Sequence, residues 1–362
     1  MRMGWSERDS AGIQIITVGS PDAGPALSLG EAVDLPPPPA GFARIGSGAA
    51  SPNSVFITDV SNRLIHRYSS EGTFQASFGR GGEGPGEFGY PAALFWMDGE
   101  LVVQDRGRGR LIRLTESGEF LSEIPTDGIY ESIILPDGRT RVGIRVERYG
   151  QPQRGPDGEL HRSQATSVVL PDSGGEIVVH QGVTRGEVTE NRRSWPTGFP
   201  VRPMLSEHPS GAAVALGGEA EVIVTNKDGP LTILRWQGGR RELTDAVWRA
   251  AREELIELGQ PRESALAMFS DAFKPDLLPW ASVLRASQDG VLWAQAVETW
   301  RTDRAQVVVR IDPVQQSLSH VQLPRAGSLL AAMNDRLLIR HLDSLGVHSV
   351  WLYPVEYSSN PL

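Results

Sequence analysis

The sequence predicts an all-β fold built from many short strands. Among 362 residues there are 40 glycines and 26 prolines, and 22% of the residues are charged. This composition favours tight turns between strands over a helical bundle. The chain also repeats itself, because three pairs of identical residues are 46 positions apart: Asp59 and Asp105, Gly72 and Gly118, Phe74 and Phe120. A period of about 40 to 50 residues that holds four strands indicates the blades of a β-propeller.

The most unusual stretch runs from Phe78 to Phe88 and contains five glycines and a proline. Such a composition cannot form a regular element, so a shaped loop between two strands is expected. The glycine spacing also matches a dinucleotide-binding turn. That turn requires a helix after it, whereas Pro85, Gly86 and then a strand pattern follow here. We therefore interpret the stretch as a connector between blades, with Phe88 anchoring it on the core.

The first two repeats carry a family resemblance. The stretches concerned are Phe78–Phe88, Asp98–Asp105, Arg110–Leu114 and Ser117–Phe120. They resemble NHL-type repeats of six-bladed β-propellers, although Gly107, Arg108 and Gly109 stand where asparagine and histidine are usual. Residues 343–354 resemble the closing blade of a bacterial group of such propellers. The resemblance implies six blades.

We expect residues 1–362 to form a single propeller domain. The last blade lacks one strand, and Ile13–Thr17 is expected to supply it, because closure removes exposed sheet edges. Residues 242–273 break the strand pattern between the fourth and fifth blades. There Val247, Ala251, Leu255 and Leu258 define one helical stripe, which predicts a short helical insertion that packs on the propeller.

Charge and composition restrict the partners. The net charge of -9 argues against nucleic acid. Four arginines cluster on one strand, namely Arg106, Arg108, Arg110 and Arg113; a solvated edge is favoured over an anion site. Cysteine is absent, which excludes disulfides and thiolate sites but fits an intracellular or an exported protein. No apolar run is long enough for a membrane span, and no signal peptide is visible. Resemblance to bacterial envelope propellers implies an extracytoplasmic location.

The sequence contains no zinc-protease pair, Walker loop or nucleophile elbow. No metal site and no cofactor are predicted. Asp59 and Asp105 could hold a cation in the channel, but acceptance of turn amides is the favoured interpretation. Glu83 and Glu87, with Arg80, could form either an ion pair that fixes the glycine-rich loop or a ligand site.

The sequence therefore favours a non-catalytic binding propeller that is monomeric, with a protein or small molecule as its ligand. Its expected binding residues are Arg80, Glu83, Glu87, Asp59, Asp105, Arg106 and Trp195. The alternative is a metal-dependent hydrolase or lyase of the lactonase-like propeller type, with its site in the channel. Three or more Asp, Glu, Asn or His side chains converging in the channel would favour the enzyme.

Overall fold

The structure is a computed structural model. It describes residues 6–10, 13–18, 27–126, 129–134, 141–146, 151, 153–154, 160–172, 175–188, 193–196, 198–199, 203–216, 218, 220–225, 231–236, 241–271, 274–297, 307–343 and 345–357. The amino-terminal part carries four short strands: β1 (Ser6–Ser10), β2 (Ile13–Val18), β3 (Leu27–Leu29) and β4 (Val33–Asp34).

Two four-stranded antiparallel sheets follow and match the 46-residue repeat. Blade 1 consists of β5 (Ile45–Ala50), β6 (Ser54–Asp59), β7 (Leu64–Ser69) and β8 (Phe74–Phe78). Blade 2 consists of β9 (Pro91–Met97), β10 (Glu100–Asp105), β11 (Arg110–Leu114) and β12 (Phe120–Pro125).

The next sheet has longer strands. It contains β13 (Ile129–Ile134), β14 (Arg141–Val146), β15 (Gln153–Arg154), β16 (Leu160–Asp172), β17 (Gly175–Val188) and β18 (Arg193–Pro196). Blade 3 then consists of β19 (Met204–His208), β20 (Gly211–Ala215), β21 (Glu221–Val224) and β22 (Thr232–Trp236).

A helical segment separates blade 3 from the last two blades. It comprises β23 (Arg241–Glu242), α1 (Asp245–Glu257), α2 (Arg262–Met268) and β24 (Leu277–Leu278). Blade 4 consists of β25 (Ala281–Ala286), β26 (Leu292–Ala296), β27 (Val307–Asp312) and β28 (Ser317–Gln322). Blade 5 consists of β29 (Ser328–Ala332), β30 (Arg336–Leu342) and β31 (His348–Tyr357), to which β3 and β4 add.

The blades surround a common axis. Each first strand lies at one edge of its sheet, and these strands contact one another in the order β5, β9, β19, β25, β29 and back to β5. Apolar side chains fill the spaces between neighbouring blades. Between blades 1 and 2, for example, the rings of Phe56 and Trp96 stack with centroids 5.7 Å apart. The core is therefore divided into layers between blades.

The predicted all-β propeller is confirmed as a fold class, but the predicted number of six blades is wrong for the described residues. Five blades complete the ring, because β9 contacts β19 directly. The sheet of residues 129–196 instead packs through β13 and β14 against β19. Its strands β16 and β17 have 13 and 14 residues, against five to seven in the first strands of the blades and their neighbours. The helix α2 packs on β17 and β18 of this sheet.

The predicted role of Ile13–Thr17 in closing the last blade is also wrong. These residues lie in β2, which pairs in parallel with β22 of blade 3. Burial explains the choice, because Ile16 and Val18 enter a cluster that contains Leu234 and Trp236. The last blade is closed instead by β3, which pairs antiparallel with β31.

The helical insertion lies where the sequence predicts it, but its buried stripe is different. Trp248, Ala251 and Leu255 are buried, whereas Val247 and Leu258 are 43% and 54% exposed. Trp248 packs against Phe199 and Phe269, with ring centroids 6.2 and 4.9 Å away. The large aromatic side chain determines which face of α1 turns inward, since it buries the most apolar area.

Candidate functional site

The glycine-rich loop between β8 and β9 is held in one conformation by its own residues. Gly79 has φ of +88°, and a Cβ atom there would lie 2.2 Å from the ring of Phe88. Phe88 is fully buried, and its amide donates to the carbonyl of Arg80 at 2.8 Å. Glycine at 79 thus lets the chain turn and lets the aromatic ring seal the base of the loop. The predicted anchoring by Phe88 is confirmed.

Charged side chains on this loop pair with one another. The Arg80 Nε donates to Glu87 Oε1 at 2.6 Å, and the Gly84 amide donates to Glu87 Oε2 at 2.7 Å. These hydrogen bonds, first that from Gly84 and then that from Arg80, hold the pKa of Glu87 below its ordinary value. Glu83 lies at the exposed tip, 3.6 Å from Arg108. The ion pair that fixes the loop is therefore present, and binding of a partner by these residues stays a prediction.

Asp59 and Asp105 make equivalent hydrogen bonds to the backbone that leads into their blades, and we call them the aspartate latches. Asp59 accepts the amides of Ala43 and Arg44, at 2.8 and 3.0 Å. Asp105 accepts the amides of Gly89 and Tyr90, at 2.9 and 2.7 Å. In both blades the donors are therefore 16 and 15 residues before the aspartate.

Both aspartates are fully buried. Burial opposes the ionisation of Asp59, but hydrogen bonds from Ala43, Arg44 and Asn62 outweigh it and lower the pKa of this carboxyl. The favoured interpretation, acceptance of loop amides, is the one that the structure shows. These carboxylates fasten the strand that enters each blade.

The arginines around Asp105 are engaged with carboxylates and carbonyls. Arg108 Nε and Arg110 Nε lie 3.9 and 3.8 Å from Asp105 Oδ2, and Arg113 Nε lies 2.6 Å from Glu100 Oε2. The amide of Arg106 donates to the carbonyl of Tyr90 at 3.0 Å. Trp195 belongs to β18, and its side chain lies outside the described residues. The described geometry thus joins the loop residues to the Asp105 region and leaves Trp195 unplaced.

A second cluster lies near the carboxyl ends of the first strands, whereas Asp59 and Asp105 lie beside their amino ends. This cluster was not predicted from the sequence. We call it the axial cluster; it consists of Ser206, Glu207 and Arg285. Glu207 Oε2 lies 3.2 Å from the Ser206 hydroxyl, and Glu207 Oε1 lies 3.5 Å from the Trp96 amide of β9. The Ser206 hydroxyl in turn accepts the Ala286 amide of β25 at 2.9 Å. Three first strands therefore meet at this carboxyl.

Arg285 extends the cluster toward blade 5. Its Nε donates to the Leu330 carbonyl at 2.6 Å and its Nη1 to the Leu284 carbonyl at 2.8 Å. The residue Glu207 as a whole is half-buried, but its carboxyl group is surrounded by protein atoms. Burial raises the pKa of Glu207 above its ordinary value, against the lowering effects of the Arg285 charge and of hydrogen bonds from Trp96 and Ser206. A carboxyl group in this state keeps its proton to a higher pH than an exposed glutamate does.

The sequence contained a signal for the axial cluster. Glu207 and Arg285 are the charged residues of two strands that otherwise hold apolar or small side chains next to them, Met-Leu-Ser-Glu-His and Ala-Ser-Val-Leu-Arg-Ala. A charge at the centre of a propeller is costly unless it is paired or functional. Only the ring of blades brings these two positions together.

Two further properties concern the described residues. They contain no group of three or more His, Asp or Glu side chains that could hold a metal ion. No helix within the described ranges is long and apolar enough to cross a membrane.

Comparison with known proteins shows similarity of fold. No family model matches the sequence, and no curated protein matches it. A Bacteroides fragilis protein described as exported is 12% identical, with a TM-score of 0.48, and the match covers 95% of this chain and all of that one. A DUF4221-family protein from Bacteroides vulgatus is 8% identical, with a TM-score of 0.47 and coverage of 92% and 99%. The virginiamycin B lyase from Staphylococcus aureus is 10% identical, with a TM-score of 0.44 and coverage of 91% and 99%. Likenesses at this level carry no argument about function.

Proposed function

We propose that this protein is a non-catalytic binding propeller that contacts a protein partner through the glycine-rich loop. The observation that supports the proposal is the loop's fixed shape. Phe88 seals its base, Glu87 ties Arg80 to Gly84, and the side chains of Arg80 and Glu83 are 79% and 90% exposed. A surface that is already in its bound conformation loses less conformational entropy on association.

The other predicted binding residues contribute differently to this proposal. Arg106 and Arg108 lie beside the loop and would extend the charged surface. Asp59 and Asp105 are buried and would act by holding the strands in place. Trp195 stays a proposed contact. A partner for this surface would carry charges of both signs opposite Arg80 and Glu83, because complementary charges align two proteins before they dock.

The test begins with a photo-crosslinking amino acid at position 83, which identifies proteins that touch the loop. The affinity of a captured partner is then measured for the double variant Arg80→Gln, Glu83→Arg. We expect at least a tenfold loss, with no change for Glu253→Arg, an exposed control on α1. Equal affinities of the double variant and the original protein would assign binding to another surface.

The second candidate is a channel-sited hydrolase or lyase, and the raised pKa of Glu207 favours it. A carboxyl with a raised pKa beside a hydroxyl and a guanidinium could serve as a general acid, a role that contributes about 10²- to 10⁴-fold to rates. A panel of lactones and esters, assayed with and without a chelator, tests this candidate. Turnover that Glu207→Gln reduces by about a hundredfold or more would support it. Turnover that this variant leaves unchanged would exclude Glu207 as the acid.

We also propose an extracytoplasmic location, on the resemblance to bacterial envelope propellers. Fractionation of cells that express the full-length gene tests it. Recovery of the protein wholly with cytoplasmic markers would contradict the proposal.

A further inference from the structure

A groove lies between blades 4 and 5, away from both the glycine-rich loop and the axial cluster. Its volume is about 620 Å³, which falls within the range of about 300 to 1,000 Å³ that is typical of small-molecule sites. One wall comes from β3 and the residues after it, and the opposite wall from β28 and the segment that follows it. The aromatic residues Trp351 and Tyr353 of β31 line it as well. We call it the outer groove.

Most of the lining is apolar. Leu27 and Leu29 on β3 and Ala32 after it line the groove and pack on one apolar cluster beneath it, which includes the buried Val321 of β28. Leu27 and Leu29 remain only partly buried in this position. The groove therefore offers a hydrophobic surface that the apolar body of a small ligand could cover.

A single arginine supplies a positive charge at this surface. The guanidinium carbon of Arg325 lies 4.4 Å from the centre of the Trp351 ring, a cation–π arrangement. Arg325 also hydrogen-bonds to the side chain of Tyr353. Its planar fork has five N–H donors, more than one phenol oxygen can accept. The side chain is exposed, so those donors can reach a ligand.

Buried partners hold this arginine in place. Within the core, His341 Nδ1 lies 2.7 Å from the Ala326 carbonyl, which can only accept, so this nitrogen is the donor. His341 Nε2, 2.9 Å from the Tyr353 hydroxyl, then accepts from it, because burial lowers the pKa of His341 and favours the neutral ring. The Tyr353 oxygen is left to accept from Arg325. The arginine is thus oriented before any ligand arrives.

We infer that the outer groove binds a small monocarboxylate with an aryl or branched alkyl body, its carboxylate on Arg325 and its body on Leu27, Leu29 and Ala32. Arginine matches a carboxylate through two parallel hydrogen bonds. Asp34 lies close enough for its charge to interact with that of Arg325. A second negative charge on the ligand would therefore be repelled, which selects monoanions over dianions.

The test uses 4-phenylbutyrate as the probe in titration calorimetry on the full-length protein at low salt. Two matched compounds separate the contributions: 4-phenylbutyramide keeps the body without the charge, and phenylsuccinate adds a second carboxylate. We expect 4-phenylbutyrate to bind at least tenfold more tightly than either. Equal binding of acid and amide, or no saturable binding at millimolar concentration, would overturn the inference.

Variants assign the binding to the groove. Arg325→Gln should remove the tenfold preference for the acid over the amide, whereas Arg262→Gln, an exposed arginine at the start of α2, should retain it. Ser28→Trp, at an exposed position that lines the groove, should weaken both compounds by filling the space. Thermal melts confirm that each variant is folded, and Arg325→Met replaces Arg325→Gln if the latter unfolds. An unaltered preference in the Arg325 variant, or full binding by Ser28→Trp, would contradict this assignment.

Discussion

At the scale of single residues, Gly79 carries two separate constraints. Its φ of +88° disfavours any side chain, and the Phe88 ring occupies the position of its Cβ. We expect Gly79→Ala to lower the free energy of unfolding by about 2 to 4 kcal/mol in urea titrations. Gly99→Ala is the matched control, because Gly99 has φ of +82° but no atom within 4 Å of its Cβ position. The control should cost only about 1 to 2 kcal/mol. Equal losses would show that Phe88 moves freely and does not fix the loop.

Glu207 makes the stability of the protein depend on pH. Its ordinary pKa is 4.5, and burial raises the pKa in the folded protein. As pH rises above 4.5, the unfolded chain releases this proton first, so the free energy of unfolding falls until the folded pKa is passed. The slope from one proton is at most about 1.4 kcal/mol per pH unit.

Glu207→Gln cannot titrate at this position. Urea unfolding between about pH 5 and pH 8 should therefore show a flatter dependence for Glu207→Gln than for the original protein. The exposed-site variant Glu253→Gln should retain the original dependence. Parallel curves for Glu207→Gln and the original protein would mean that Glu207 is solvated like a surface residue.

These residues differ in how far the sequence could identify them. The role of Asp59 and Asp105 was predictable because the repeat places both at the end of the second strand of a blade. Glu207 was harder to identify, since burial raises its pKa only when the neighbouring blades surround it, and the lowering effects of Trp96 and Arg285 also come from other blades. The strand sequence shows a charge among apolar or small residues, but the burial of that charge is a property of the assembled ring.

At the scale of elements, two different stripes of residues on α1 could face the core. A period that starts at Val247 and a period that starts at Trp248 both include Ala251 and Leu255. Helical spacing alone cannot choose between them, but burial of an indole ring can. We expect Trp248→Ala to lower the free energy of unfolding by about 3 to 5 kcal/mol and Val247→Ala by less than about 0.5 kcal/mol. Urea unfolding of the two variants provides the measurement. A larger loss for Val247→Ala than for Trp248→Ala would support the buried stripe that the sequence predicted.

The pairing between strands was harder to predict than the positions of the strands in the sequence. The sequence predicted a strand at Ile13–Thr17, and it showed that one blade lacked a strand. It could not tell that β3 instead of β2 completes that blade, because both strands contain alternating apolar side chains. The parallel pairing of β2 with β22 joins residues that are 218 positions apart, as with Gln14 and Thr232. Such a choice depends on which exposed edge each strand meets in the folded chain.

At the scale of the whole molecule, the repeat established the propeller but overestimated its regularity. Blades 1 and 2 follow the 46-residue offset, and there the sequence predicted the strands, the loop and the aspartate latches. After Pro125 the strands lengthen, and the sheet of residues 129–196 packs beside the ring instead of within it. The prediction of six blades assumed that every set of four strands forms a blade that reaches the propeller axis. Direct contact between β9 and β19 shows that one does not.

The different roles of β2 and β3 can be separated by truncation. A chain that starts at residue 19 loses β2, and with it the burial of Ile16 and Val18, at a cost of about 3 to 5 kcal/mol. Its ring stays closed because β3 still covers β31. A chain that starts at residue 36 loses β3 and β4 as well, which exposes the whole edge of β31 to pairing with other molecules. We therefore expect the first truncation to keep the oligomeric state of the original protein with one cooperative thermal transition, and the second to aggregate, as measured by size-exclusion chromatography and calorimetry. If both truncations aggregated equally, closure would depend on β2, as the sequence had predicted.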